Sequence, residues 1–273
     1  TTANLGALAA DIGFRVLLVD ADPQGSLSKY YPLSHFAPHN HGLVEMMLGI
    51  NGMDADPLDG IISKTIMPNL DIVVSNDPTS KLQVLLPQRP DARILLKNAL
   101  AYPYILENYD LAIIDTQGAG GLLQDAAAYA GNIILSPVAP DVLSIREFQH
   151  GTLEMIARLE RGRSMGLIPG RVKGFFSRMD RSKNAKEVSE LLKSSLLAFE
   201  DKLDFLATII PYAKAYNEAA TAKIPVHIHE IVHAGKQVSA SDTMHNLFWE
   251  LIPNLHGLRG KMFADGLYNS VKQ

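Results

Sequence analysis

Short apolar runs rich in Val and Ile recur along the chain, separated by longer stretches in which apolar residues return every three or four positions. The runs predict strands at Arg15–Val19, Leu70–Val74, Leu111–Ile114, Asn132–Leu135, Val172–Phe176 and Phe205–Ile210. They are apolar on both faces, the pattern of strands buried within a parallel sheet. The longer stretches predict helices at Ala3–Ile12, Leu43–Leu48, Ala92–Leu106, Leu122–Ala130, Val142–Arg161, Ala185–Phe199, Lys214–Lys223 and Thr243–Leu251. In the helix from Val142, residues Val142, Ile145, Phe148, Leu153, Ile156 and Leu159 form one apolar stripe. Gly162 ends it, and Pro169-Gly170 turns the chain into the next strand. Ser241-Asp242 is placed to cap the helix that Pro253-Asn254 stops. Strands alternating with helices imply an α/β fold, doubly wound, with a mainly parallel sheet and helices on both faces. No internal repeat, low-complexity tract or linker divides the sequence, so a single domain over residues 1–273 is expected.

Composition changes this picture little. With 47% hydrophobic and 20% charged residues, the 273-residue chain has material for a sizeable core. No apolar run reaches the roughly 18 residues that a membrane span needs, and no basic stretch followed by an apolar one opens the sequence. A cytoplasmic location is therefore expected. Cysteine is absent, which excludes disulfides, thiolate metal sites, iron–sulfur clusters and Cys nucleophiles. The net charge of −4 argues against a general nucleic-acid coat. The charge is uneven, however: Arg158 to Lys193 holds ten Lys/Arg against four Asp/Glu, enough for a polyanion-facing surface or for two solvated helix faces.

Candidate chemistry lies at two strand ends, where open α/β sheets bind ligands. In Leu17-Leu18-Val19-Asp20-Ala21-Asp22-Pro23-Gln24-Gly25 an apolar strand runs into Asp20, and Asp22 follows in a turn. In Leu111-Ala112-Ile113-Ile114-Asp115-Thr116-Gln117-Gly118 another apolar strand ends in Asp. A carboxylate at a buried strand end is costly unless solvated, paired or facing a cation. Either Asp alone reads as the cap of a turn. Two together suit a hydrated Mg²⁺, which keeps most of its waters.

These residues resemble ParA-type ATPases of the ParA/MinD superfamily. D-A-D-P-Q-G after a strand is similar to the motif that follows their first helix, and I-I-D-T-Q-G to their Walker B strand. Asn4-Leu5-Gly6-Ala7-Leu8-Ala9 resembles the first helix. Pro137-Val138-Ala139-Pro140-Asp141 before a long helix also fits. So does Ala207-Thr208-Ile209-Ile210-Pro211 through Glu218-Ala219 and Ile224-Pro225-Val226, similar to the late strand and the loop beside adenine. The resemblance implies a partition ATPase that binds ATP and Mg²⁺ and slowly hydrolyses ATP to segregate plasmid, chromosome or integrative-element DNA. It further implies an ATP-dependent homodimer, a centromere-binding (ParB-like) partner, non-specific DNA binding and a nucleoid-associated location. Carried over residue by residue, Asp22 positions the attacking water, Asp20 supports the metal's hydration shell, and Asp115 holds Mg²⁺ through water. Gly118, Gly120 and Gly121 form a loop that senses the γ-phosphate. Thr1 is expected near the α-phosphate, with Arg178 and Pro211 around adenine. Arg181, Lys183, Lys186 and Lys214 are the expected DNA contacts. Three positions depart from the pattern: Gln117-Gly118 stands where Pro is usual, Arg178 where Asn is usual, and Ala215 where a second DNA-contacting Arg is usual.

The family's phosphate-binding loop, roughly K-G-G-x-G-K-[ST]-T, precedes the first helix, and its strand lies mid-sheet. Thr1-Thr2-Ala3-Asn4 resembles the stretch just after that loop, so the loop and its strand are expected before residue 1, and the chain as given is expected not to hydrolyse ATP. Two alternatives stand. One is a non-catalytic relative that only binds partners. The other is a zinc hydrolase: His229-Glu230-Ile231-Val232-His233 spells H-E-x-x-H, which on a helix places His229 and His233 on one face with Glu230 as general base. Pro225 and Gly235 leave room there for only a turn or two of helix.

Overall fold

The structure is a computed structural model of the chain; it describes residues 1–49, 59–118, 120–180, 182, 187, 189–192, 194, 203–235 and 237–260. Helix α1 (Thr2–Ile12) leads into strand β1 (Val16–Ala21). The hand-over is made by Gly13 at φ 119°, a left-handed conformation that closes the helix with its N–H on Ala10 O. Every residue of β1 is buried. Its alternate side chains feed two cores: Val16 and Leu18 face α1, while Leu17 and Val19 face the opposite side of the sheet. Helix and strand approach so closely that a Cβ on Gly6 would lie 2.6 Å from Leu18 Cδ2.

The remaining strands are β2 (Leu33–His35), β3 (Ser63–Thr65), β4 (Leu70–Val73), β5 (Leu111–Thr116), β6 (Ile133–Val138), β7 (Arg171–Phe176) and β8 (Leu203–Phe205). They form a five-stranded sheet in the order β2-β3-β4-β1-β5 and a three-stranded sheet in the order β6-β7-β8. The β4-β1-β5 pairs and the whole β6-β7-β8 sheet are parallel; β2 and β3 add antiparallel strands at one margin. The helices are α2 (Leu43–Leu48), α3 (Lys81–Leu85), α4 (Leu95–Leu100), α5 (Pro103–Asn108), α6 (Leu122–Ala130), α7 (Val142–Glu160), α8 (Lys214–Ala222), α9 (Val226–His229) and α10 (Ala240–Leu251).

The core has three parts. One lies under α1 and α10, another under α2, α4 and α6, and the third between α7 and the β6-β7-β8 sheet. Phe175 of β7 joins the first part, while Val172 and Phe176 join the third, so the second sheet is also covered on both faces. This is the expected α/β layering, with helices on both sides of a mainly parallel framework.

The single expected sheet is interrupted. Among the described residues β5 and β6 are the end strands of their respective sheets and do not pair with each other. Leu111 and Ile113 of β5 and Leu135 of β6 nonetheless pack against the same core under α1. The two open edges therefore border one seam. Their burial reflects it: both strands are apolar, yet Ala112 and Ile133 are exposed, in contrast to β1.

Two other expected elements change, two strands go unpredicted and one expected helix is not tested. Ala92–Leu106 is not one helix, because Pro103 cannot continue the backbone bonding of α4 and instead starts α5. Phe205–Ile210 is strand only to Phe205; beyond it the Leu206 and Ile210 N–H groups still donate to Gly174 O and Phe176 O of β7, at 2.8 and 2.9 Å, and Met179 and Pro211 form an isolated bridge. The short β2 and β3 carry no apolar run and are not predicted. The expected helix Ala185–Phe199 lies largely outside the described residues.

Candidate functional site

The parallel register of β1 and β5 pairs Asp20 directly with Asp115. Both stand at the carboxyl ends of their strands, and Asp22 follows one residue beyond β1. The three carboxylates predicted to act together thus share one edge of the sheet, beside the seam.

Their surroundings differ. Asp20 is fully buried. Its Oδ2 accepts hydrogen bonds from the Ser28 N–H at 2.7 Å and the Ser28 hydroxyl at 2.6 Å, and the Asp22 N–H lies 3.3 Å from Oδ1. Burial pushes the Asp20 carboxyl above its ordinary range, the bonds from Ser28 and Asp22 pull it back, and Asp115 raises it further. The Ser28 hydroxyl also accepts the Ser75 N–H at 2.8 Å, which ties the loop after β1 to the end of β4. Asp22 is half-buried and accepts the Gln24 N–H at 2.9 Å, the local bond of an Asx turn. Gly25 completes this turn at φ 61° and bonds back to Asp22 O. Asp115 is also half-buried, and its Oδ1 accepts the Thr2 hydroxyl at 2.6 Å. The site therefore offers carboxylates and hydroxyls, hard oxygen donors suited to hydrated Mg²⁺.

The other predicted positions fall around this edge. Thr1 is the N-cap of α1, immediately before Thr2, whose hydroxyl bonds Asp115. Arg178 is exposed and holds a left-handed φ of 59°. The next residue, Met179, bridges to Pro211, so Arg178 and Pro211 come from adjacent segments. Gly118, Gly120 and Gly121 are exposed just beyond β5. Gly120 lies against the Arg158 guanidinium, which also holds the buried Asp125 at 2.8 Å and Gln124 at 2.9 Å. Lys214 is exposed and paired with Glu218 at 2.6 Å. Arg181, Lys183 and Lys186 lie outside the described residues.

Sequence reasoning missed Thr2, Ser28, Ser75 and Arg158. Thr2 lies 113 positions from its carboxylate partner and Ser75 lies 47 from Ser28, so no local spacing could reveal them. Ser28 is only eight positions from Asp20, but a Ser in a turn is too common to single out.

The zinc reading is overturned. Helix α9 ends at His229, so His229 and His233 do not share a helical face. His229 faces Glu218 at 3.3 Å, while His233 meets Glu230 at 2.9 Å. Glu230 also accepts the Ala240 N–H at 2.8 Å at the start of α10. The H-E-x-x-H residues brace a turn, and among the described residues no three or more His, Asp and Glu side chains are grouped to ligate a metal directly, which leaves the carboxylate edge to binding through water.

Comparison with known proteins agrees with this architecture. A family model described as an AAA domain matches residues 1–163. The sporulation initiation inhibitor protein Soj of Bacillus subtilis is 35% identical over 138 residues, which is 50% of this chain and 51% of that protein. The chromosome-partitioning ATPase Soj of Treponema pallidum is 28% identical over 235 residues, 85% of each chain. The chain spans about half the length, or less, of the first curated relatives it matches. Among solved structures, cobyrinic acid a,c-diamide synthase from Mycobacterium smegmatis, with bound ATP analog and magnesium, superposes with a TM-score of 0.68. It is 22% identical and covers 95% of this chain and 90% of its own, a likeness of fold. The chain belongs to the AAA-domain family, among the P-loop ATPases of the ParA/MinD type.

Proposed function

We propose that this chain is the body of a ParA-like partition ATPase that binds ATP with Mg²⁺ and hydrolyses it slowly to segregate plasmid, chromosome or integrative-element DNA. The observation that carries the reading is the registered pair Asp20–Asp115 with Asp22 alongside, at the carboxyl edge where parallel α/β sheets bind nucleotides. Asp115, oriented by Thr2, would hold Mg²⁺ through water. The metal would supply charge neutralisation for the transferred phosphoryl group. Asp22, half-buried on a tight turn, is the group to position water. Asp20 acts one step back: buried and bonded to Ser28, it fixes the loop that carries Asp22. Arg178 and Pro211 border the base, and the glycines after Thr116 approach the terminal phosphate.

The β5–β6 seam belongs to the same reading. The unpaired edges of β5 and β6, which pack on one core, would accept one extended strand between them, and the loop leaving that strand would open beside Asp115 and Thr2. A glycine-rich lysine loop there would supply backbone donors and a cation to the phosphates.

A homodimer formed with ATP, a centromere-binding (ParB-like) partner and non-specific DNA complete the proposal, in the cytoplasm at the nucleoid. Among the described residues no helix is long and apolar enough to cross a membrane. DNA binding rests on the basic excess between Arg158 and Lys193 together with Lys214; Arg181→Glu with Lys183→Glu should weaken it and flatten its salt dependence. The central test is Asp22→Ala in the ATP-binding protein. Nucleotide binding should persist while hydrolysis falls by about 100-fold or more, the scale for losing a positioned acid–base group. Hydrolysis at the unchanged rate would reject the assignment.

A further inference from the structure

Three elements converge on a buried histidine pair far from the carboxylate edge in sequence. His227 of α9 and His245 of α10 are 4% and 2% exposed, and their rings stand 6.3 Å apart edge to face. Asp11 of α1, itself buried, lies 3.3 Å from His227 Nε2, while His227 Nδ1 is buried without a hydrogen-bond partner. Against them lies the segment that follows α10. Trp249 donates Nε1–H to Leu258 O at 2.9 Å and stacks on His256 at 4.9 Å. Arg259 pairs with Asp242 at 2.8 Å and lies 5.4 Å over the Trp249 ring. Gly260 closes the run with its N–H 3.2 Å from His245 Nε2.

These contacts fix the state of His245. Its Nδ1 lies 2.7 Å from Ser241 O, an acceptor only, so Nδ1 carries a proton. Nε2 receives an N–H from Gly260, so Nε2 must carry a lone pair. The bound segment therefore requires neutral imidazole. Protonation would set two N–H groups against each other in a buried place that already holds His227 and the Arg259 charge, with Asp242 and Asp11 as the facing carboxylates. The fit leaves no slack: a Cβ on Gly260 would run into the Asp11 carboxylate.

We propose that His245 is an acid-sensitive latch that holds residues 256–260 against α10 when neutral and releases them when protonated. The sign follows from linkage. Burial, with Arg259 and His227 nearby, pushes His245 below its ordinary value, with the Ser241 carbonyl and Asp242 opposing. The docked state thus binds fewer protons than the released state. Docking is complete above the ordinary histidine range and weakens as pH falls from about 6.5 towards the depressed value. Release uncovers Trp249.

Trp249 is the only tryptophan in the chain, so its fluorescence reads docking directly. Between pH 8 and 5 the emission should shift to the red while the far-ultraviolet helical signal stays constant. His245→Gln replaces Nε2 by an amide that can accept the Gly260 N–H without titrating. It should remove the acid shift. Gly260→Ala should give the acid-type spectrum already at pH 8. An identical titration in wild type and His245→Gln, or loss of the helical signal in the same interval, would overturn the latch. So would a docked spectrum in Gly260→Ala at every pH. None of these outcomes depends on ATP chemistry.

Discussion

At the scale of single residues, the arrangement turns on which carboxylate is free to act. Asp20 and Asp22 are two positions apart in one motif, yet one is sealed in the core and the other sits on the rim. The difference is Ser28, whose backbone and hydroxyl both bond Asp20 while its oxygen accepts from Ser75. Ser28→Ala removes one charge-assisted bond, a class worth about 1.5–3 kcal/mol, and cuts the tie to β4. The expected result in the ATP-competent protein is a lower rate of hydrolysis with nucleotide affinity nearly kept, and recovery by Ser28→Thr, which restores the hydroxyl. Equal rates in all three proteins would show that Asp22 needs no such support. The sequence made Asp20, Asp22 and Asp115 legible because each ends an apolar run. It could not separate their tasks, because burial and the bonds from Ser28 and Thr2 arise only when distant segments meet.

Among elements, legibility followed the strength of the local pattern. Leu43–Leu48 and Leu122–Ala130 form helices over the residues expected, each with an apolar face and a glycine at both ends. Five of the six expected strands were found to within three residues at each end, while Phe205–Ile210 overlaps β8 only at Phe205. The failures are elements whose formation depends on partners: β2 and β3 are three residues each and exist through antiparallel pairing with each other and with β4. The H-E-x-x-H run misled for the same reason, since Pro225 confines α9 to one turn and Glu230 is drawn to the start of α10. Helix α7 offers a direct check of local control. Asp141 caps it, accepting the Ser144 N–H at 2.9 Å and hydroxyl at 2.6 Å, and these bonds hold the Asp141 carboxyl below its ordinary range. Asp141→Ala should cost about 1 kcal/mol, read as a lower urea midpoint. A depressed carboxyl contributes stability above the ordinary value of 3.8, and that contribution is lost as pH falls through the folded value. The wild-type and Asp141→Ala midpoints should therefore converge in acid; a constant gap down to the lowest pH would contradict the capping account.

For the whole molecule, the organising feature is the seam. A doubly wound sheet normally runs unbroken across its layers, and one of the three core clusters here extends past the break: that under α1 takes side chains from β5 on one side and β6 and β7 on the other. Open parallel edges invite a strand, because each carries a row of backbone donors and acceptors. Partial exposure of β5 and β6 lets water reach those groups, which limits the cost to less than the roughly 1–3 kcal/mol that each would forfeit if buried unpaired. A strand seated in the slot would replace water with two parallel ladders and bury Ala112 and Ile133. It would also bring its outgoing loop to the edge where Asp20, Asp22 and Asp115 stand. Without that loop the three carboxylates are a concentration of negative charge that repels a triphosphate. Residues 1–273 alone should therefore show no rise in melting temperature with ATP and Mg²⁺. A version extended ahead of Thr1 by one strand and a glycine-rich lysine loop, about 15–25 residues, should melt higher and rise further with nucleotide. A ligand at 100 times its Kd adds about 2.7 kcal/mol to the folded state, a shift well within measurement. Tight ATP binding by the unextended chain would reject the account of the seam. An extended version that melts no higher and gains nothing from nucleotide would do so too, and would favour a relative that binds partners without hydrolysing nucleotide.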